Sequence, residues 1–294
     1  MGSAMQEATI SRGRRKDRVL DANVWPPGTA ALRAVLVTDA PIILNTFALS
    51  HYCEIVRWAL DYKGAPYEEQ SWAPFLHVFR TWRFEQTTTP ILRVDGRTLQ
   101  ESTDICAFLE ERFTEPTLIP QKQRDAVFAL ADDARGIGEH VRRLSYLALG
   151  KDVRAMRDSW EMNVSPSERR WNRRVFPISR RLVFKRFEVT EEAGATSEAT
   201  VRQFLDRYGE LLSDGRRYLV GDSFSLADLT MSAMLSPLAR PPEHPFYSTV
   251  PLGPGIDDLV ESFRGHPTLE WVLGCYRRHR GGPGATAQER TAVV

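Results

Sequence analysis

PILRVDGRTLQES, residues 90–102, carries the clearest structural signal in the sequence. Two short runs flank Asp95-Gly96, the pair best suited to a type I′ turn because both central positions need φ > 0. The stretch therefore predicts a β-hairpin. Its last residue, Ser102, is placed to cap a following helix that carries Ile105, Phe108, Leu109 and Phe113 on one side.

Working outward from the hairpin, a short apolar strand is predicted over residues 42–47. A helix follows from Tyr52, with Tyr52, Cys53, Val56, Ala59 and Leu60 on one stripe and Glu54, Arg57, Trp58 and Asp61 opposite. Gly64 and then Pro66 end it in the usual order. Trp58 on the polar side predicts that another element covers that face. YEEQSW, residues 67–72, reads as a second strand, and a helical stretch is predicted over 74–84. The order is thus strand, helix, strand, helix, hairpin, helix.

Beyond TEPTLIP, residues 114–120, strand signals fade. Helical patterns run over 121–149, through Val201, Phe204, Leu205, Tyr208, Leu211 and Leu212, from Ser225, and over 268–278. The expected organisation is an extension over 1–40, an α/β domain over 41–113, a linker over 114–120, an all-α domain over 121–280 and a flexible tail over 281–294.

Composition narrows the function classes. With 39 Lys and Arg against 38 Asp and Glu, the net charge of +1 argues against a nucleic-acid binder driven by bulk electrostatics. The 3 cysteines, Cys53, Cys106 and Cys275, are far apart and lack metal-ligand spacing, so neither a disulfide framework nor a metal site is expected, and a reducing cytoplasm fits. The longest apolar run, residues 30–49, is cut by Arg33 and Asp39, so no membrane span is expected. Basic residues near the N-terminus precede no apolar segment, which argues against a secretory signal.

Four motifs in order resemble the glutathione transferase superfamily. SHYCEIVRWALDYKGAPYEE, residues 50–69, resembles its first helix and second strand; TTTPIL, 87–92, the segment before its third strand; LQES, 99–102, its glutamate-serine pair; and YLVGDSFSLADLT, 218–230, its C-terminal capping-box segment. The wording around Ser50 is similar to a serine-type, bacterial subgroup. The resemblance covers residues 44–278 and implies a thioredoxin-like α/β N-terminal domain followed by an all-α C-terminal domain.

It also implies a chemistry. A free thiol titrates near ~8.5, so a glutathione enzyme must lower that value with a hydrogen-bond donor and the positive end of a helix. Ser50 offers its hydroxyl at a strand-helix turn, and by resemblance it would stabilise the thiolate. Serine there also reads as a plain helix cap; the surrounding motifs favour the functional role. No tyrosine stands in LNTF, residues 44–47, where other classes place theirs, and Tyr52 reads as core. The quartet Ser50-His51-Tyr52-Cys53 resembles a Cys-x-x-Cys motif whose attacking cysteine has become serine. Thiol exchange is therefore disfavoured, and Cys53 is expected to pack inside the helix.

For glutathione itself, the Glu101 carboxylate suits the ammonium, while Ser102 with the N–H groups of a helix start suits the γ-glutamyl carboxylate. Thr89 would offer its backbone to the cysteinyl unit, before a Pro90 whose peptide bond is cis in the family. His77 is the first choice for the glycyl carboxylate, with Arg80, Arg83 and Gln86 behind it. Thr88 and Thr89 depart from the residues usual in relatives, which leaves that end of the site least defined.

The basic run over 169–187 suits either an anionic partner or a solvated helix face; the second reading is favoured. EHVRRLSYLAL, residues 139–149, suits either a pocket wall or ordinary core. The expectation is a cytoplasmic homodimer that uses glutathione as co-substrate, and no metal, against a small, partly apolar electrophile. Its rivals are a non-catalytic binding module of the same fold, and a protein that binds anionic polymers or vesicles through the basic run.

Overall fold

A computed structural model describes residues 41–74, 88–249 and 251–281. The predicted extension, the tail beyond Gly281, His77, Arg80, Arg83, Gln86 and nearly all of the helical stretch predicted over 74–84 lie outside the described residues.

The first part is a small mixed sheet with two helices: β1 (Ile42–Thr46), α1 (His51–Tyr62), β2 (Tyr67–Ser71), β3 (Ile91–Val94), β4 (Arg97–Leu99) and α2 (Ser102–Arg112). The sheet order is β2-β1-β3-β4. β1 pairs parallel with β2, from Ile42↔Tyr67 to Thr46↔Ser71, and α1 makes the crossover that parallel neighbours need. β3 pairs antiparallel with both β1 and β4, and the predicted turn forms with Asp95 at φ 51 and Gly96 at φ 72. The apolar strands β1 and β3 occupy the centre. The edges go to the charged β2 and the three-residue β4, a composition that discourages edge-to-edge pairing.

The second part is helical: α3 (Arg124–Gly136), α4 (Gly138–Leu149), α5 (Val153–Trp160), α6 (Pro166–Arg186), α7 (Glu191–Leu212), α8 (Leu226–Ala239), α9 (Pro254–Ser262) and α10 (Pro267–His279). This is the predicted architecture, a thioredoxin-like domain followed by an all-α domain. α8 is apolar nearly all round and correspondingly buried, packed by α1, α3, α4 and α10. Its start is the predicted capping box: Asp228 Oδ2 accepts from the Ser225 N–H at 2.8 Å, and Ser225 caps the Asp228 turn in return. The basic run forms α6, whose Arg169, Arg170, Arg173 and Arg174 are exposed. Among the described residues no helix is long and apolar enough to cross a membrane.

The pattern over 121–149 is not one helix. It divides into a 3-10 turn (Gln121–Gln123), α3 and α4, with the break at Ile137 between two glycines. Gly138 is required by close approach: a Cβ there would lie 2.5 Å from the Tyr52 hydroxyl and 2.7 Å from Met234 Sδ. The break lets α4 start against the first turn of α1.

α1 also departs from its predicted amphipathic form. Trp58 is covered, as its position implied: its Nε1 donates to the His279 carbonyl at 3.1 Å, and its ring lies 4.4 Å from Tyr276. Glu54 and Arg57, on the same polar side as Trp58, are also fully buried. Arg57 pairs with Glu54 at 2.6 Å and Glu69 at 2.7 Å; Arg280, just beyond α10, pairs with Glu54 at 2.6 Å and Asp61 at 2.7 Å. Burial pushes the Glu54 carboxyl upward, but the charges of Arg280, His244 and Arg57 outweigh it and hold the group at about 2.

Candidate active site

The chain leaves β1 through a turn in which the Ser50 N–H donates to the Phe47 carbonyl at 3.0 Å. Ser50 then caps α1: its Oγ accepts from the Cys53 N–H at 3.3 Å. Capping occupies an oxygen lone pair and leaves the hydroxyl proton to donate elsewhere. The half-buried hydroxyl thus stands at the positive end of a 12-residue helix.

Its neighbours do not compete for that role. His51 is buried, with Nε2 3.1 Å from the Gly138 carbonyl. Burial, and secondarily the charge of Arg142, lower its pKa to about 3, so it is neutral at physiological pH. The Tyr52 hydroxyl donates to the Arg135 carbonyl at 3.3 Å, and burial raises its pKa. Tyr52 packs against the core as expected but is only half-buried, and it also forms a wall between two cavities. Cys53 is fully buried 3.5 Å from Thr89 Oγ1, and burial pushes its thiol upward, so it packs as anticipated.

The Thr89–Pro90 peptide bond is cis. Gln100 Nε2 steadies the neighbouring backbone by donating to the Thr88 carbonyl at 3.0 Å. Glu101 sits at φ 62 in the N-cap position of α2, so Ser102 is the first helical residue rather than the predicted cap. The positive φ of Glu101 turns the chain into the helix one residue earlier than the sequence suggested. Ser102 is buried, 3% exposed, while the Glu101 side chain is 61% exposed and pairs with Arg135 at 2.9 Å.

Two cavities adjoin this turn. One, of about 170 Å³, is mainly apolar and is bordered by Ser50 and Thr89, with Phe47, Tyr146, Trp160 and Tyr247 among its walls. The other is a more polar cleft bordered by Thr89, Pro90, Glu101, Ser102 and Arg135. Tyr52, Thr88, Thr89, Arg142, Val183 and Phe187 border both. Of the residues picked from sequence, Ser50 belongs to the apolar cavity, Pro90, Glu101 and Ser102 to the polar cleft, and Thr89 to their junction. His77 lies outside the described residues.

Sequence reasoning passed over Arg135, whose bond to Glu101 spans 34 residues and leaves no local signal. It noted Arg142 and Tyr146 only within a stretch that read equally as core. α4 brings both to the cavity, and the Arg142 guanidinium rests 4.1 Å from the Phe187 ring centroid.

Comparisons with known proteins follow the same division of the chain. The family model for the glutathione S-transferase N-terminal domain matches residues 44–117, and that for the C-terminal domain matches 178–272. No curated protein matches the chain. Among solved structures, a glutathione S-transferase of Ceriporiopsis subvermispora in complex with glutathione is 17% identical, with 83% of this chain and 100% of that one covered, at a TM-score of 0.56. The glutathione transferase GSTFuA2 of Phanerochaete chrysosporium is 16% identical over 82% of this chain and 98% of its own, also at 0.56. The β-etherase LigF of a Sphingobium strain is 21% identical over 79% and 98%, at 0.50. At such identities these structures share the fold. The two domain matches, in order along the chain, place it in the glutathione transferase superfamily.

Proposed function

We propose that the chain is a glutathione-dependent transferase in which Ser50 donates a hydrogen bond to the glutathione sulfur and stabilises its thiolate. The observation that carries this reading is the position of Ser50: its hydroxyl caps α1 at the edge of an apolar cavity, beside a polar cleft bordered by Glu101 and Ser102. In this reading the cleft takes glutathione. Glu101 meets the ammonium of the γ-glutamyl group, Ser102 and the start of α2 meet its carboxylate, and the backbone of Thr89 beside Pro90 meets the cysteinyl unit. His77 remains the proposed partner of the glycyl carboxylate. The apolar cavity takes the electrophile. Sulfur forms a bond to its electrophilic carbon, the leaving group departs with its bonding pair, and the thiol proton passes to solvent. The three cysteines are free and buried, which supports a reducing, cytoplasmic setting; a homodimer belongs to the same proposal.

Calorimetric titration of glutathione into the wild type and Ser50→Ala tests the reading, with the ultraviolet thiolate signal followed in parallel. The expected result is similar binding by both proteins and a thiolate signal near neutral pH in the wild type alone. A wild type that fails to bind glutathione overturns the enzyme and leaves Ser50 a helix cap, as in a non-catalytic module of this fold.

A further inference from the structure

The apolar cavity has a size, a wall composition and a charge pattern of its own. Its volume of about 170 Å³ is close to that of a ~150 Å³ apolar cavity able to hold benzene, so it has room for one aromatic ring. Aromatic side chains from separate elements face it: Phe47, Tyr146, Trp160, Phe187 and Tyr247. Its charged lining is one-sided. Arg142 and Arg240 border it, and among the described residues no Asp or Glu does.

The two arginines are not equivalent. Arg240 is paired with Asp257. Arg142 meets Glu139 only at 3.5 Å, and that carboxylate is 70% exposed. The Nε of Arg142 is buried without a hydrogen-bond partner. Its guanidinium is held against Phe187 at 4.1 Å and lies 5.7 Å from the Tyr52 ring centroid. Its positive field reaches His51, Tyr52 and Tyr146, acting on the ionisation of each. His51 is neutral, so of the two described cations that line the cavity with Ser50, Arg142 has the weaker counter-charge.

We infer that the cavity takes a single-ring aromatic electrophile bearing a carboxylate, with the ring between the aromatic walls and the carboxylate on Arg142. The inference rests on the reading that the adjoining cleft holds glutathione, and it adds the class of the second substrate. A planar guanidinium backed by a ring suits a carboxylate bidentately, and such charge-assisted bonds are about twice as strong as neutral ones. A cationic aromatic would meet two arginines and, among the described residues, no carboxylate, so the same wall selects against it.

Calorimetry on the full chain without glutathione separates this inference from the one it rests on. The probes are para-chlorobenzoate, para-chlorobenzamide and para-chlorobenzylamine. The wild type is expected to bind the carboxylate about ten-fold more tightly than the amide and to show no binding of the amine. Arg142→Gln should bring the carboxylate down to the level of the amide, Arg142→Lys should restore part of the difference, and Arg240→Gln should retain it. A wild type that binds amide and carboxylate equally overturns the inference, whether or not the variants fold. A preference that survives in Arg142→Gln overturns it as well. Glutathione is titrated separately: if it fails to bind while the carboxylate preference stands, the glutathione reading falls and the anionic aromatic site remains.

Discussion

The start and the interior of one helix put polar side chains to opposite purposes. At its first turn α1 presents Ser50 and Tyr52 to open cavities, and the Ser50 proton is not consumed by capping. One turn further on, Glu54 and Arg57 are as polar as any group in the molecule, yet each is spent on an internal partner. Glu54 satisfies two guanidiniums that are themselves buried. Ser50 keeps a donor in reserve at a cavity edge; Glu54 and Arg57 give theirs to partners inside the fold.

That contrast is breakable by experiment. The largest effect is expected at the buried ion pairs. Glu54→Ala leaves Arg57 and Arg280 short of a buried counter-charge and should cost about 3–5 kcal/mol, read as a lower urea midpoint, while the folded fraction keeps its glutathione affinity. Ser50→Ala should invert the pattern. Stability falls by about 1 kcal/mol through the lost cap, whereas kcat/KM toward an electrophile falls about 100-fold. Glu101→Gln, on an exposed side chain, should weaken glutathione binding about ten-fold by calorimetry and leave the melting temperature unmoved. A Glu101→Gln variant that melts early would blur the division.

The most gradual effect concerns acid. His51 in the folded protein titrates at about 3 rather than 6.5. Above pH 6.5 this costs nothing. Below it the unfolded chain takes up a proton that the folded chain refuses, so stability declines by about 1 kcal/mol per pH unit until pH reaches about 3. His279, lowered to about 4 mainly by burial, adds to the same limb. Glu54 works in a lower window: its depressed carboxyl contributes stability that is complete above 4.5 and lost as pH falls toward about 2. Denaturant midpoints between pH 6.5 and 4.5 should therefore fall less steeply in His51→Gln than in the wild type.

Features held by neighbours in sequence were legible without a structure. Asp95-Gly96 requires its turn by backbone sterics alone, and Ser225 and Asp228 cap one another across three residues. Trp58 announced a covering element but not which one, because His279 and Tyr276 belong to the far end of the chain. Features set by distant partners were misread. Helical periodicity placed Glu54 and Arg57 on a polar side without naming their partners, since nothing near them reveals a guanidinium 226 residues away. Ser102 was read one position too early in its helix because a positive φ at a glutamate has no sequence signature. The break at Ile137 was hidden by apolar periodicity that continues across it, although Gly138 is the residue that lets Tyr52 and His51 approach. For the candidate site, the turn at Ser50 and the Glu101-Ser102 pair could be picked from motifs. The wall from α4 was legible only as one of two readings, and the Trp160 wall from α5 not at all, because the walls meet only in three dimensions.

The bond between Glu54 and Arg280 also sets an order of events at the ribosome. Arg280 follows Glu54 by 226 residues, so at about 5–20 residues per second roughly 10–45 s pass between the synthesis of the two. Through that interval the nascent sheet domain can form its strands and its contacts with Arg57, but it must hold Glu54 without its second guanidinium. Completion of that buried network thus waits until α10 and Arg280 have emerged and docked. A chain released short of Arg280 would carry an intact sheet sequence with Glu54 left to Arg57, which Glu69 also shares, a state that quality-control proteases are suited to remove.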